Sequence, residues 1–375
     1  MTKTRLKTIQ DCEDLLEGAM WMGAGGGGSF ESGMAILEEA LADELPLEWV
    51  DAGSIPNDVW TATVGIHGSI TPLSPEVLDE ARSAGLSDDL DEWYPVTAVK
   101  ELGASLGHEY GCIVAPELGP ESVSIALAVG ARMGVPVVDG DYVGRAVPEE
   151  AQAAYCLFGK QRHLFAGVDR WGNRAFVSHA ANTFTLERMA KMLAIAAYGE
   201  IAVATTPLIA SEMKAILISG TLSTCFRIGK ALRAARASGR DPIAAGLDAA
   251  GGWRLFEGTI TGLTTEDRDG YLFGDVEVSG ESDYSGHTLK VWFKNENLVS
   301  WLDGEPWVCS PDILTFVERE NGRGIYNSAL KAGGQVAAVG LRGPEVFRSQ
   351  AGLALNGPRY FGFDIGYRPI EALLA

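Results

Sequence analysis

The sequence predicts a two-domain protein in which an α/β domain with a mainly parallel sheet is followed by a β-rich domain with helical segments. Strand and helix patterns alternate up to about residue 160, as expected for a parallel sheet covered by helices. Beyond that point, short strands separated by turn residues follow one another, which is typical of an antiparallel barrel or sandwich. We therefore place the domains at residues 1–165 and 166–375.

Composition narrows the class of partner. Of the 375 residues, 46% are hydrophobic and 21% are charged, which is the balance of an ordinary globular protein. The formal net charge of −20 would repel phosphate backbones, and no block of Lys and Arg offsets it, so a small molecule is favoured over nucleic acid. The chain lacks a long apolar run and its polar start lacks the apolar core of a signal peptide, so we expect a cytoplasmic protein without a membrane span.

The N-terminal part begins with two predicted helices. Thr8 and Asp11 have capping-box spacing before a helical apolar pattern, and Ser29 is placed to cap the second helix. The patterns predict helices over 8–22, 29–43, 95–107 and 120–134, and strands over 46–53, 58–68, 111–119 and 135–141.

The C-terminal part starts with two apolar helical stretches and continues as short strands. The patterns predict helices over 185–199 and 211–239, and strands over 255–263, 271–280, 288–294, 297–302, 312–318 and 335–341. The apolar faces of the segment 185–239 are suited to pairing with a second copy of the chain, so we expect a homo-oligomer.

Four consecutive glycines, Gly25, Gly26, Gly27 and Gly28, follow the first helix. With Gly23 they also fit the dinucleotide pattern G-x-G-x-x-G, but that fingerprint follows a strand, whereas a helix is predicted here. Two interpretations remain open. The glycines allow two segments to approach closely in left-handed conformations, or their backbone N–H groups bind a carboxylate, a phosphate or a developing negative charge.

Charged residues gather where two predicted strands end. Asp139, Asp141, Arg145 and Glu149 lie at or just beyond the end of one strand, and Glu117 follows the other. Because ligands bind at the carboxyl edge of open α/β sheets, we expect Glu117, Asp139 and Asp141 to share a crevice and to supply a general acid or base. Arg145 would orient an anionic substrate or an ion-pair partner. Alternatively, the two aspartates cap the following turn and Arg145 pairs with Glu149 at the surface.

The same three carboxylates have the oxygen chemistry that divalent metals use, so a divalent metal ion is the one cofactor that the pattern leaves open.

His67 ends a predicted strand and is a candidate for the same crevice, although a structural histidine is the alternative. Asn295 and Glu296 follow an alternating strand and either form a turn or reach a ligand between the domains.

Several motifs together resemble the S-methyl-thiohydantoin desulfurase family over nearly the whole chain. They are the Gly-rich run 23–28, the stretch 135–149, Asn295-Glu296, the stretch 311–313 and the closing stretch 357–364. The resemblance implies a three-layer N-terminal α/β domain and a C-terminal β-rich domain. Members often carry a Gly-rich run where this chain has Glu117-Leu118-Gly119-Pro120-Glu121, a departure that bears on the substrate.

The reaction implied by the resemblance is hydrolysis at C2 of a thiohydantoin-type ring, which releases a thiol or sulfide and leaves a hydantoin. In such a site, a carboxylate such as Glu117 or Asp139 would activate water, and a second, protonated carboxyl would assist the leaving sulfur. Arg145 or the amides of residues 25–28 would hold a substrate carboxylate or ring oxygen. The alternatives are a non-catalytic accessory subunit of a hydantoinase-type system and, less favoured, a nicotinamide or flavin enzyme.

Overall fold

The computed structural model of the chain describes residues 3–68, 74–87 and 89–374. The elements up to residue 141 are β1 (Lys3–Arg5), α1 (Ile9–Met22), α2 (Phe30–Ala42), β2 (Glu48–Val50), β3 (Trp60–Gly68), α3 (Pro75–Ser83), α4 (Tyr94–Leu106), β4 (Tyr110–Ala115), α5 (Pro120–Met133) and β5 (Val137–Asp141). The next are α6 (Ala154–Leu157), β6 (Phe165–Val168), β7 (Arg174–Val177), α7 (Thr183–Ala196), β8 (Glu200–Ile209), α8 (Ala210–Ile216), β9 (Ile218–Ser219), α9 (Thr221–Ala237) and α10 (Pro242–Ala250). The last are β10 (Trp253–Arg268), β11 (Tyr271–Gly280), β12 (Thr288–Lys294), β13 (Glu296–Leu302), β14 (Glu305–Cys309), β15 (Ile313–Glu318), β16 (Gln335–Leu341), α11 (Glu345–Arg348), α12 (Gln350–Asn356) and α13 (Ile370–Leu373).

Helices α1 and α2 begin where their capping residues predict. The Thr8 side chain accepts a hydrogen bond from the Asp11 amide, and the Asp11 carboxylate accepts one from the Thr8 amide, which completes the capping box. Ser29 Oγ accepts a hydrogen bond from the Ser32 amide at the start of α2. These contacts satisfy amides that the first turn of a helix leaves unpaired.

Within the described residues, the first sheet has nine strands in the order β1-β2-β5-β4-β3-β8-β6-β7, with β9 beside β5. Its centre, β2-β5-β4-β3, is parallel, and the other pairings are antiparallel. Along β4, Ile113 and Ala115 join one apolar core and Cys112 and Val114 join another, so both faces of the sheet are covered. The predicted α/β class is confirmed, and the carboxyl ends of β3, β4 and β5 meet at one edge.

The predicted helix 211–239 is wrong as a single element. The chain leaves the helical conformation after Ile216, pairs Ser219 with Gly140 of β5, and re-enters a helix at Thr221. Gly220 has a left-handed φ of +79°, which a helix does not tolerate and which glycine adopts readily. The apolar pattern continues across the break because α8, β9 and α9 all pack on the first sheet or its helices.

The second sheet is antiparallel, and the part of the chain that the structure describes gives it seven strands in the order β14-β13-β12-β11-β10-β16-β15. One face packs on helices α1, α9 and α10 through a core that includes Trp21, Leu232, Ile243, Val317 and Val339. The predicted β-rich second part is therefore confirmed. The division after residue 165 stays a prediction, and the first sheet continues beyond it through β6, β7, β8 and β9.

A buried arginine joins the two sheets. Arg145 follows β5, is 1% exposed and donates through Nη2 to the Asn297 carbonyl at 2.8 Å and through Nη1 to the Asp312 carbonyl at 3.0 Å. Its Nε donates to the Ala146 carbonyl at 3.0 Å. Because Asn297 and Asp312 lie at β13 and just before β15, this one side chain fixes the second sheet against the carboxyl edge of the first.

No helix in the described residues has the length and apolar character needed to cross a membrane. The outer face of α7 is nevertheless apolar, with Phe184, Met192 and Ile195 exposed by 56%, 52% and 69%. The homo-oligomer stays a prediction, and the exposed apolar face of α7 is the surface that we expect to form its contact.

Replacing Arg145 with Met should destabilise the protein strongly. The carbonyls of Ala146, Asn297 and Asp312 would lose their donor inside the protein, and loss of one partner from a buried charged network costs about 3–5 kcal/mol. Urea unfolding measures the free-energy change, with exposed Arg188→Met as the control. A loss below about 1 kcal/mol, the scale of an exposed contact, would show that Arg145 does not hold the sheets together.

Candidate active site

Carboxyl groups from both sheets meet at the edge where β3, β4 and β5 end. Glu117 follows β4, Glu150 lies in a single helical turn after β5, Glu187 comes from α7, and Glu296 opens β13. His67 lies near the end of β3. We call these five residues the acidic cluster. Their charges interact, since Glu117 raises the pKa of both Glu296 and Glu150.

The Gly-rich loop packs directly on this cluster. A Cβ atom at Gly26 would lie 1.9 Å from Oε1 of Glu296, and one at Gly27 would lie 2.4 Å from the Cα of Gly119. Gly25, Gly27 and Gly28 have left-handed φ values of +91°, +77° and +85°. These distances match the interpretation that the glycines allow close approach.

Carbonyl groups of the loop are bound from both parts of the chain. The Asn297 amide donates to the Ala24 carbonyl at 2.8 Å, and the Asn327 amide donates to the Gly25 carbonyl at 2.9 Å. The Glu121 amide donates to the Gly27 carbonyl at 3.2 Å. The loop is thus held between α5 and the second sheet, while anion binding by its amides stays a prediction.

Glu117 has the surroundings of a carboxylate that ionises near neutrality. Its Oε2 accepts a hydrogen bond from the Val147 amide at 2.9 Å, and its Oε1 accepts one from Ser122 Oγ at 3.2 Å. Burial raises the pKa of Glu117 to about 7, against the effect of these two donors, which stabilise the ionised form. The charge of Asp141 adds to the rise, and that of Arg145 opposes it.

The surroundings of Glu296 differ from those of Glu117, because they favour the neutral carboxyl over the ionised one. It is 2% exposed, and its Oε2 has no hydrogen-bond partner among the described residues. Burial, followed by the charge of Glu117, raises the pKa of Glu296 well above its ordinary value. These surroundings favour the neutral form of the Glu296 carboxyl, because ionisation would place a poorly solvated charge inside the protein.

Asn295 places Glu296 in this position. Its φ is +58°, its amide donates to the Leu272 carbonyl at 2.7 Å, and its Oδ1 accepts from the Leu272 amide at 2.8 Å. The Asn295 side chain is therefore engaged with β11, and we assign it a positioning role instead of the predicted contact with substrate. The short turn between β12 and β13 directs Glu296 to the interior.

The two aspartates predicted for the site, Asp139 and Asp141, accept hydrogen bonds from backbone amides. Asp139 accepts hydrogen bonds from the Ser223 amide at 3.0 Å and from Ser223 Oγ at 2.5 Å, in the first turn of α9. Asp141 Oδ1 accepts from the amides of Val143 and Gly144, both at 2.6 Å. Burial raises the pKa of Asp141 to about 7. Asp141 therefore caps the following turn, as the alternative interpretation predicts, whereas Asp139 binds the start of α9 and not that turn. Because Ser223 engages both of its oxygens, we leave Asp139 out of the catalytic group.

The alternative pairing of Arg145 with Glu149 is not formed, since Arg145 binds backbone carbonyls and Glu149 forms an ion pair with Lys294. Within residues 3–68, 74–87 and 89–374, no three His, Cys, Asp or Glu side chains are arranged to hold a metal ion. Glu117, Asp139 and Asp141 are therefore not a ligand set in this arrangement.

The cluster extends to residues that sequence reasoning missed. Glu150 Oε1 lies 3.4 Å from Nε2 of His67, and the Glu150 amide donates to Glu187 Oε2 at 3.2 Å. Lys191 Nζ lies 3.0 Å from Glu187 Oε1, and Tyr271 donates to the same oxygen at 2.6 Å. Glu187 lies within α7, and a charged residue within a helix is ordinarily exposed. The sequence around Glu187 therefore gives no indication that it belongs to a site. Glu150 is next to Glu149 in the sequence, but it does not directly follow a predicted strand, so the strand-end argument does not select it as a site residue.

A separate open groove of about 730 Å³ lies on the second sheet, and its lining includes Trp292, Trp301 and Phe363. It contains none of the predicted site residues. In the acidic cluster, His67 and Glu150 keep 21% and 17% of their side-chain area exposed.

Comparison with protein families identifies the chain over almost its full length. Residues 10–179 match the S-Me-THD-like N-terminal domain, and residues 181–370 match the S-Me-THD-like C-terminal domain. The chain belongs to the S-Me-THD-like family. The resemblance seen in the sequence is thereby confirmed at the level of the family.

No curated protein matches this S-Me-THD-like chain. A crystal structure of a protein from Chromobacterium violaceum is similar in fold, with a TM-score of 0.76 and 20% identity, over 99% of this chain and 100% of that chain. At this identity the likeness concerns the fold alone.

Gly26→Ala should destabilise the S-Me-THD-like protein by about 1–3 kcal/mol, because the new methyl group would displace the Glu296 carboxyl. Urea unfolding measures the effect. Gly366→Ala is the matched control, since a Cβ there meets no atom within 4 Å. Equal stability of the two variants would mean that the loop and Glu296 are not in tight contact.

Glu296→Gln should become more stable relative to wild type as the pH rises. The pKa of Glu296 is raised in the folded protein, so the stability associated with this group is complete below the pKa of the unfolded chain and is lost as the pH increases toward the folded value. Glutamine does not ionise and escapes this loss. Unfolding at pH 4, 6 and 8 measures the difference, with exposed Glu305→Gln as the control. A difference that is independent of pH would contradict a raised pKa at Glu296.

Proposed function

We propose that the protein hydrolyses an S-methyl-thiohydantoin at ring carbon C2, giving a hydantoin and methanethiol. Membership of the S-Me-THD-like family is consistent with this class of substrate. The observation that carries the proposal is the pair Glu117 and Glu296, whose surroundings favour different protonation states in one site. Such a pair supplies a general base and a general acid at the same pH.

Glu117 is the base in this proposal. With the Val147 amide and Ser122 hydroxyl stabilising its ionised form, it removes a proton from water as the water oxygen bonds to C2. The C2 carbon becomes tetrahedral, and the electron pair of its C=N bond moves to the ring nitrogen.

Glu296 is the acid. Its neutral carboxyl donates a proton to the sulfur as the C2–S bond breaks, so that sulfur leaves as methanethiol and not as the more basic thiolate. The hydroxyl group left on C2 gives its proton to the ring nitrogen that received the electron pair, and C2 becomes the new carbonyl of the hydantoin. The balance is one water consumed and one methanethiol released, with a proton gained by Glu117 and one lost by Glu296.

Arg145 acts on this chemistry through position and charge. Its guanidinium binds the Asn297 carbonyl, next to Glu296 in the chain, and its charge favours ionisation of both Glu117 and Glu296. The amides of Gly25, Gly26, Gly27 and Gly28 are the candidates for holding the ring oxygen. We treat Arg145 as a positioning residue.

The direct test is methanethiol release from a synthetic S-methyl-thiohydantoin carrying a propionate side chain. We expect release by wild type and a loss of roughly 10²-fold or more in kcat for Glu117→Gln, the usual contribution of a general base. Exposed Glu305→Gln should keep wild-type activity. Normal turnover by a folded Glu117→Gln variant would exclude the mechanism, and absence of release from wild type would exclude the substrate. A chelator arm tests the metal, because loss of activity would add a metal ion to the site.

The pH profile should follow Glu117. Since the base is active only when ionised and burial raises its pKa to about 7, kcat/KM should increase as the pH rises through that value. The profile is measured by initial rates across pH 5.5 to 8.5 in constant ionic strength. A rate that falls over this range would assign the essential group as an acid instead.

A further inference from the structure

The proposed hydrolysis leaves the site in the wrong protonation state for a second cycle. After turnover Glu117 carries a proton and Glu296 has lost one. Glu296 is buried, at 2% exposure, and Glu117 is half-buried. A second route for protons, away from the substrate position, would let Glu117 return to its ionised form while product is still bound.

A pair of side chains at the edge of the acidic cluster has the geometry for such a route. Glu150 Oε1 and His67 Nε2 are 3.4 Å apart, at 17% and 21% side-chain exposure. His67 stands next to the exposed Gly68 at the end of β3. The pair thus reaches the surface through His67, and the charge of Glu117 acts on its other member, Glu150.

Neighbouring charged groups and burial set the pKa values of Glu150 and His67 so that a proton can pass between them. The charges of Glu187 and Lys191 of α7 act on both members, and that of Glu117 acts on Glu150. Burial, with the charges of Glu187 and Glu117, raises the pKa of Glu150 to about 8, against Lys191. Burial lowers the pKa of His67, although Glu187 opposes this. Near pH 7 Glu150 is thus a proton donor and His67 a neutral acceptor.

We infer that Glu150 and His67 form a proton relay between Glu117 and the solvent. This inference rests on the proposed function. Glu150 passes its proton to Nε2 of His67, which releases the proton on Nδ1 to water or buffer, and Glu150 then takes the proton of Glu117. Glu117 returns to its ionised form, and Glu296 regains a proton when product leaves.

The test is chemical rescue of His67→Ala in the full-length protein. At low buffer concentration we expect kcat for methanethiol release to fall roughly tenfold or more, with a smaller change in kcat/KM, because the relay acts after the chemical step. Added imidazole should restore kcat in proportion to its concentration. The exposed His179→Ala is the control and should show neither effect.

A second variant separates the relay from a structural role. Glu150→Gln interrupts the path before His67, so imidazole, which replaces only the histidine, should not restore its kcat. A folded His67→Ala or His67→Gln variant with wild-type kcat at low buffer, or a reduced kcat that ignores imidazole, overturns the relay. Failure of wild type to release thiol would instead overturn the proposed function, so the two ideas fail in different experiments.

Discussion

The structure depends on one buried guanidinium. Arg145 gives its hydrogen bonds to backbone carbonyls on both sides of the junction between the sheets, with an exposure of 1%. A buried charge is costly, and here three carbonyl dipoles and the nearby carboxyl groups offset that cost. Because Asn297 is one of its acceptors, the same contact that joins the sheets also sets where Glu296 stands relative to Glu117. Stability and site geometry are therefore coupled in a single side chain.

The two central carboxyl groups differ through their neighbours. Glu117 is met by an amide and a hydroxyl, whereas Glu296 meets Gly26 and has an unpartnered oxygen. Each comes from a different sheet, so neither half of the chain contains the pair. The asymmetry that acid–base chemistry requires arises because the second sheet buries its glutamate against a loop of the first part.

Much of the fold could be predicted from local patterns, because caps at Thr8 and Ser29 and alternating strands carry their own signals. Strand β8 was missed, since both its faces are buried and its apolar run reads like a helix. Glu117 and Glu296 were found because each adjoins a strand end. Their pairing, and the inclusion of Glu150 and Glu187, depend on long-range packing that no local spacing encodes. Asp139 and Asn295 show the converse, since suitable residue types at strand ends satisfied backbone groups instead.

The contact between Gly26 and Glu296 links two positions 270 residues apart in the sequence. A side chain at position 26 either displaces the Glu296 carboxyl or requires a shorter residue at 296, and both changes remove the buried carboxyl from its place. Substitution at either position alone therefore disturbs the contact between Gly26 and Glu296. Among related sequences, these two positions should therefore change together or stay as they are. Chains that carry a larger residue at 26 and a smaller one at 296 would mark a branch with different chemistry.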